Sequence, residues 1–235
     1  MKNSKRFTRP SKKEADMGTT VVLLAGNLGY RMTTFGPQCL QKLSNGDFLL
    51  DHQVKTIKEC LPRSEIIITC RDYIQKMVRH KPDGVRLVES KLEDTNEVEE
   101  IRLAINNCTT DNMLFIQSDT FFEKNVLKGL DFSRSFVIFE TKGMMRHDSV
   151  GVTVVNSKAT IMSYAVDKKW GRIFNINKTA KKSLNNFCRN DAHKKMYAHE
   201  ALNYVMDKCP VYAIETKDLL YCVDRIDDVE GLGEI

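Results

Sequence analysis

The sequence contains no apolar run approaching the ~18 residues that a membrane-spanning helix needs. Its basic first residues, MKNSKRFTRPSKKEAD, lack the apolar stretch of a secretory signal. It has no Cys-x-x-Cys pair. Its seven cysteines (Cys39, Cys60, Cys70, Cys108, Cys188, Cys209 and Cys222) are odd in number, scattered, and mostly set in apolar runs such as EIIITC and LLYCV. That argues against a disulfide framework and predicts reduced core thiols in a cytoplasmic protein. The five histidines do not pair with the cysteines at ligand spacing, so no zinc site is expected. There is no broad excess of one charge either. Of the formal net charge of +5, residues 1–16 supply most through six Lys/Arg against two Asp/Glu, and the rest of the chain is close to neutral. A specific nucleic-acid binder carries its basic face on the folded part, so none is expected. Residues 1–18 read as a disordered basic tail, suited at most to touching a polyanion or another protein.

What is present is a composition of 42% hydrophobic and 29% charged residues over 235 positions. That suffices for one domain with a real core, read here as residues 19–235. Strand and helix alternate along it. The runs at 20–25 (TVVLLA), 64–70 (SEIIITC), 85–89 (VRLVE) and 112–117 (NMLFIQ) are short, apolar and β-branched, as buried strands are. Between them, 49–61, 72–79 and 96–107 carry apolar residues at helical spacing. Strand, crossover helix and strand at this interval predict an α/β fold: Rossmann-like, three layers α/β/α, with a mixed and mostly parallel sheet. Such sheets bind ligands at the carboxyl ends of their strands, which singles out the loops after 20–25 and 112–117.

Beyond residue 130 the rhythm changes. Runs at 135–140, 150–155, 160–166 and 171–176 read as strands without long helices between them, an antiparallel extension of the sheet. A helix over 191–207 capped by Asp191 follows, then two closing strands, PVYAIE and LLYCV. Charge is segregated here, with 168–195 basic and 196–235 acidic. The plain meaning is a solvated surface. The sharper one is a basic flap over an anionic substrate, facing an acidic site that holds a divalent cation.

The first strand runs into Gly26-Asn27-Leu28-Gly29-Tyr30-Arg31. Two glycines, with an asparagine that tolerates left-handed geometry, let backbone amides approach an anion, and Arg31 adds a planar donor fork suited to phosphate. A tight turn without a ligand fits the same residues. The stretch LLAGNLGYRM, then PQCL, then NGDFLL before the helix HQVKTIKECLP, resembles the amino-terminal signature of nucleotidyltransferases with a glycosyltransferase-A-like fold. That superfamily includes sugar-1-phosphate nucleotidylyltransferases, phosphocholine-type cytidylyltransferases and molybdopterin guanylyltransferases. TNEVEEIRLAI at 95–105, FIQSDTFF at 115–122, HEALNYVM at 199–206 and YCVDRIDDVE at 221–230 are similar to its later segments, so the resemblance spans nearly 20–230.

The resemblance implies an enzyme that moves a nucleoside monophosphate from a nucleoside triphosphate to a phosphorylated small molecule, a sugar phosphate or a phosphocholine-like acceptor, and releases pyrophosphate. It implies nucleotide binding by Leu24, Ala25, Gly26, Asn27, Gly29, Arg31, Gln38 and Thr95, and catalysis by Arg31, Lys42 and Asp119. Acceptor binding would fall to Glu200 and Lys178, and Mg2+ to Asp119 and Asp224, whose hard carboxylate oxygens suit that ion. Three positions depart from the signature. Asn27 stands where it has its first glycine, although Gly26 precedes it, Gln38 where it has a lysine, and Asp47 where it has a basic residue. They keep two other readings open: a nucleotide-binding regulatory module of the same fold without transfer, and a glycosyltransferase using a nucleotide-sugar. The latter is disfavoured by the absence of an Asp-x-Asp triplet after 112–117. Monomer and homodimer both remain open.

Overall fold

The computed structural model describes residues 18–26, 36–78, 84–90, 96–143 and 145–234. In chain order the elements are β1 (Thr19–Ala25), α1 (Leu49–Cys60), β2 (Glu65–Cys70), α2 (Asp72–Met77), β3 (Val85–Glu89), α3 (Glu97–Asn106), β4 (Asn112–Gln117) and β5 (Thr120–Phe122). Then come β6 (Phe136–Glu140), β7 (Val150–Val155), β8 (Lys158–Tyr164), β9 (Lys169–Ile176), α4 (Lys178–Cys188), α5 (Ala198–Met206), β10 (Tyr212–Glu215), β11 (Leu220–Cys222) and α6 (Ile226–Leu232).

Nine strands form one sheet in the order β3-β2-β1-β4-β9-β6-β10-β8-β7, and β11 pairs with β5 in a small second sheet. β3, β2, β1 and β4 are parallel, β9 runs antiparallel to β4, and β8 and β7 complete the antiparallel extension. The expected fold class is what the chain adopts. Alternation along β1 makes the layers. Val22 and Leu24 face a core shared with α3, α4 and α5, whereas Val21, Leu23 and Ala25 face one shared with α1 and Ile74 of α2. Every residue of β1 is buried, the pattern of a central strand covered on both sides. No helix of the described residues is long and apolar enough to cross a membrane.

The second half corrects two expectations. The helix expected over 191–207 begins only at Ala198, after a separate 3-10 turn over Asp191–His193. Asn190, rather than Asp191, caps that turn by accepting from the Ala192 N–H, and Glu200 accepts from the Tyr197 N–H at the start of α5. The basic block contains a helix, not a flap. In α4, Ala180, Leu184 and Phe187 are buried at helical spacing while Lys178 and Lys182 stay exposed. Three apolar positions among lysines and asparagines make too faint a stripe to read beforehand.

The amino end of α3 is stitched to its neighbours by two buried glutamates. Glu100 Oε2 accepts from the Gly26 N–H at 3.0 Å and from Thr69 Oγ1 at 3.0 Å, joining α3 to the ends of β1 and β2. Glu97 Oε2 accepts from the Ala198 N–H at 2.7 Å, joining α3 to α5. Burial pushes both carboxyls up to about 7, against hydrogen bonds that favour the charged form. A carboxyl raised on folding binds protons more tightly in the native state. Its stabilisation is therefore complete below the ordinary glutamate value of 4.5 and disappears as pH rises through about 7. We expect the wild-type melting temperature to contain a component that falls between pH 5 and pH 8. Glu100→Gln should remove on the order of 3 kcal/mol of that pH dependence, or roughly 6–12 °C. Scanning calorimetry at both pH values checks this, and equal slopes for variant and wild type would refute it.

Candidate functional site

The carboxyl ends of β1, β2 and β4 open onto one side of the sheet, and the chain collects charged side chains there. β1 ends at Gly26, whose carbonyl accepts from Arg71 Nε at 3.1 Å while its N–H is held by Glu100. A Cβ on Gly26 would stand 2.5 Å from Glu100 Oε1, so a larger residue there would displace the Glu100 carboxylate. β1 is thus anchored on both sides where the segment 27–35 begins.

Asp119 lies in the turn between β4 and β5. Parallel pairing continues past β4 through Ser118 N–H to the Leu24 carbonyl, 3.0 Å, and the Asp119 carbonyl accepts from the Val223 N–H at 2.8 Å. The buried amide of Gln53, on α1, donates to the carbonyls of Gln117 and Thr120 at 3.0 and 2.6 Å. One side chain therefore clasps both shoulders of the Asp119 turn.

Asp224 follows β11, so the β11–β5 pairing brings it beside Asp119. Its backbone is fixed by Asp228, four residues on, whose Oδ2 accepts from the N–H groups of Asp224 and Arg225, both at 2.9 Å. Arg146 grips Asp228 with two parallel bonds of 2.9 and 2.8 Å. Burial raises the Asp228 carboxyl, but Arg146 and these amides outweigh it and hold the group below the usual carboxylate range.

Between the two aspartates stands Arg172. Its Nη1 donates to Asp119 Oδ2 and its Nη2 to Asp224 Oδ1, each at 2.5 Å, with side-chain exposures of 19%, 12% and 26% for Arg172, Asp119 and Asp224. The backbone is shaped for this contact. The β6–β9 register shifts between Val137 and Phe139, and within that irregularity Arg172 has φ +59°, left-handed geometry that non-glycine residues seldom adopt. The preceding Gly171 leaves room for β11, since a Cβ there would meet Leu220 Cδ1 at 2.7 Å. Burial raises the Asp119 carboxyl above its ordinary value and outweighs the opposing pull of Arg172. Burial disfavours charge on Arg172 too, but the neighbouring Asp119, Cys222 and Asp224 overcome it and hold its guanidinium in the charged form. The nearby thiols are held in their protonated form by burial. Burial pushes Cys39 up to about 12 and Cys222 up to about 11.

Among the residues singled out from the sequence, Asp119 and Asp224 meet through Arg172, and Leu24, Ala25 and Gly26 form the buried end of β1 beside them. Asn27, Gly29, Arg31 and Thr95 lie outside the described residues, as does the tail up to residue 17. Gln38 is buried, and its Nε2 donates to the Val223 carbonyl at 2.6 Å, so its amide holds the chain next to Asp224. Lys42 is exposed, with its Nζ 6.0 Å from the Phe48 ring centroid. Glu200 sits in the first turn of α5, where its charge and that of Asp119 both act on Glu97.

Lys178 is at the wrong end of the sheet. Because β9 runs antiparallel to β4, with Ile173 opposite Ile116 and Ile176 opposite Met113, its first half reaches the site and its last residues lead away. Lys178 pairs with Asp111 at 3.0 Å, before β4 begins and roughly 20 Å from Asp119 at ~3.3 Å per strand residue. The cation that β9 delivers to the site is Arg172. Sequence reasoning also missed Arg71, Glu100 and Gln53. Only the position of Arg71, directly after a predicted strand, signalled it in advance.

Among the described residues no three histidine, cysteine, aspartate or glutamate side chains gather as a metal-binding group. The donor set nevertheless fits a hard divalent ion: two carboxylates on separate strand ends, joined in the structure through a single cationic group.

Residues 21–132 match the family model of the MobA-like NTP transferase domain. No curated protein matches the chain in sequence. Solved structures share its fold. The inositol-1-phosphate CTP transferase of T. maritima superposes with a TM-score of 0.76 at 14% identity, over 93% of this chain and 96% of that one. A putative glucose-1-phosphate thymidylyltransferase of Bacillus anthracis gives 0.77 at 12% identity, over 92% and 94%. The CTP:phosphocholine cytidylyltransferase of Streptococcus pneumoniae gives 0.70 at 18% identity, over 92% and 98%. The first half of the chain thus matches the MobA-like NTP transferase domain, and the whole chain shares its fold with these solved nucleotidyltransferases.

Proposed function

We propose that the protein is a Mg2+-dependent nucleotidyltransferase that joins a nucleoside monophosphate to a phosphorylated small molecule. The observation that carries this reading is the facing pair Asp119 and Asp224 at the carboxyl ends of the strands, beside the Gly26 terminus of β1. In the reaction an acceptor phosphate oxygen bonds to the α-phosphorus of the triphosphate, the bond from that phosphorus to the α,β-bridging oxygen breaks, and pyrophosphate leaves with the electron pair. No protein nucleophile is required, so the chain contributes position and charge. Mg2+, when bound by Asp119 and Asp224, would supply neutralisation of phosphate charge. Gln53 and Asp228 hold the two carboxylates in place, and the buried wall of β1 excludes water beneath them. Glu200, in the first turn of α5, would serve the acceptor in this reading.

Gln38 favours a second reading, a nucleotide-binding module without transfer, because its neutral amide is committed to the Val223 carbonyl. One experiment separates the two. Each nucleoside triphosphate is incubated with Mg2+ and a panel of sugar phosphates and phosphocholine, and pyrophosphate is measured. Melting shifts are recorded alongside; a triphosphate at ~100 times its dissociation constant adds about 2.7 kcal/mol. Pyrophosphate formed with one base and one acceptor supports the enzyme. A melting shift with no pyrophosphate supports the module, and neither signal refutes both.

Substitutions should divide by their place on the sheet. Asp119→Asn and Asp224→Asn are expected to lower kcat by about 10²- to 10³-fold, the usual scale for removing one charge-stabilising group. Lys178→Ala, at the far end of β9, should stay within about twofold of wild type. Steady-state kinetics with circular dichroism to confirm folding checks all three, and a severe defect in Lys178→Ala would overturn the sheet-end assignment.

A further inference from the structure

We infer that Arg172 is a placeholder cation: its guanidinium holds Asp119 and Asp224 together in the free protein and must withdraw before a divalent ion takes the same two carboxylates. This rests on the metal reading above, and deepens it.

Three observations point the same way. First, the contact is a bridge rather than a clamp on one partner. Each outer nitrogen serves a different aspartate, Nη1 reaching Asp119 and Nη2 reaching Asp224. A single ion shared by two carboxylates would need those same partners. Second, the bridge is specified by the backbone. Arg172 occupies a left-handed conformation inside a strand irregularity, beside a glycine whose replacement would strike Leu220. Strain of this kind persists where the surroundings enforce it, and irregularities in strands re-aim side chains beside functional sites. Third, the charge is unbalanced. One guanidinium faces two carboxylates, with the buried Glu97 close enough for Asp119 and Arg172 both to act on it. A divalent ion would neutralise the pair fully, and the partial exposure of Arg172 leaves its side chain a way out to solvent. The released guanidinium would remain at the rim of the site as a planar donor fork suited to phosphate oxygens.

The inference predicts competition that can be read without nucleotide or turnover. Calorimetric titration with MgCl2 alone should show Arg172→Met binding Mg2+ at least about tenfold more tightly than wild type. The double variant Arg172→Met/Asp224→Asn should lose that gain. Without metal, Arg172→Met should melt below wild type, because two facing carboxylates are left without a cation, and Mg2+ should raise its melting temperature more than that of wild type. Should Arg172→Met not fold, Arg172→Gln replaces it. Glutamine offers a neutral amide of similar reach but no charge to compete with Mg2+, and the same direction of change is expected.

Unchanged Mg2+ affinity in the folded variant would overturn the inference, as would a gain that survives loss of Asp224. The proposed function fails separately. If wild type releases pyrophosphate while Arg172→Met binds Mg2+ no more tightly, the placeholder role falls and the enzyme stands. If the variant gains affinity and no nucleoside triphosphate yields pyrophosphate, the reverse holds.

Discussion

Two carboxylates brought face to face at the ends of buried strands repel each other and resist dehydration, so the structure that holds them must also supply positive charge. Here that charge is Arg172, and the arrangement around it follows from the constraint. Gln53 fixes the turn that carries Asp119. Asp228, gripped by Arg146, fixes the backbone of Asp224, and Gln38 fixes the carbonyl just before it. Each of these groups is a hydrogen-bonding side chain directed at backbone. The aspartate side chains are thereby left to face one another and the guanidinium. A site built this way has rigid supports and one exchangeable contact at its centre.

The topology explains why the contact forms. Four parallel strands present their carboxyl ends on one side, where helix–strand crossovers leave a crevice. A continued parallel sheet would add another strand carboxyl end to that side. The chain instead places an antiparallel β9 beside β4, so the strand arrives at the crevice with its amino-terminal half. That reversal puts Arg172, near the start of β9, opposite the aspartates and carries the lysines of α4 to the far side. On the other flank, Glu100 and Arg71 grip the two polar groups of Gly26, one by its N–H and one by its carbonyl. The end of β1 is thus tied to α3 and β2 at the point where the glycine-containing segment departs.

How much of this was legible in the sequence depends on how local each signal is. β1 to β4 and the first three helices declare themselves through runs and spacings a few residues long, and the structure keeps them to within a residue or two. Asp119 and Asp224 each stand within two residues of an apolar strand's end, where a capping or solvated role was equally readable, and it was the resemblance that singled them out. Arg172 was not legible. In KWGRIFNI it reads as a polar residue within a strand, and what singles it out is a register irregularity that depends on β6 and β11. Lys178 looked equivalent because it belongs to the same basic block, and only the direction of β9 separates the two. Gln38 shows the reverse difficulty. Its position was recognised from the motif, whereas its partner, the Val223 carbonyl, lies 185 residues away.

Gln38 and Arg172 are best understood together. The signature that this sequence resembles has a lysine at position 38, the position whose side chain here bonds the Val223 carbonyl, one residue before Asp224. In this chain that position carries a neutral amide, buried and bonded to the Val223 carbonyl, so it brings no charge to the carboxylate pair. Positive charge arrives instead from β9, on a residue whose backbone departs from regular strand geometry to deliver it. The two departures are complementary in electrostatic terms. A lysine at 38 in addition to Arg172 would put two cations near two carboxylates and give a divalent ion a second competitor. With glutamine there, one guanidinium is the single cation among the described residues that bridges the pair.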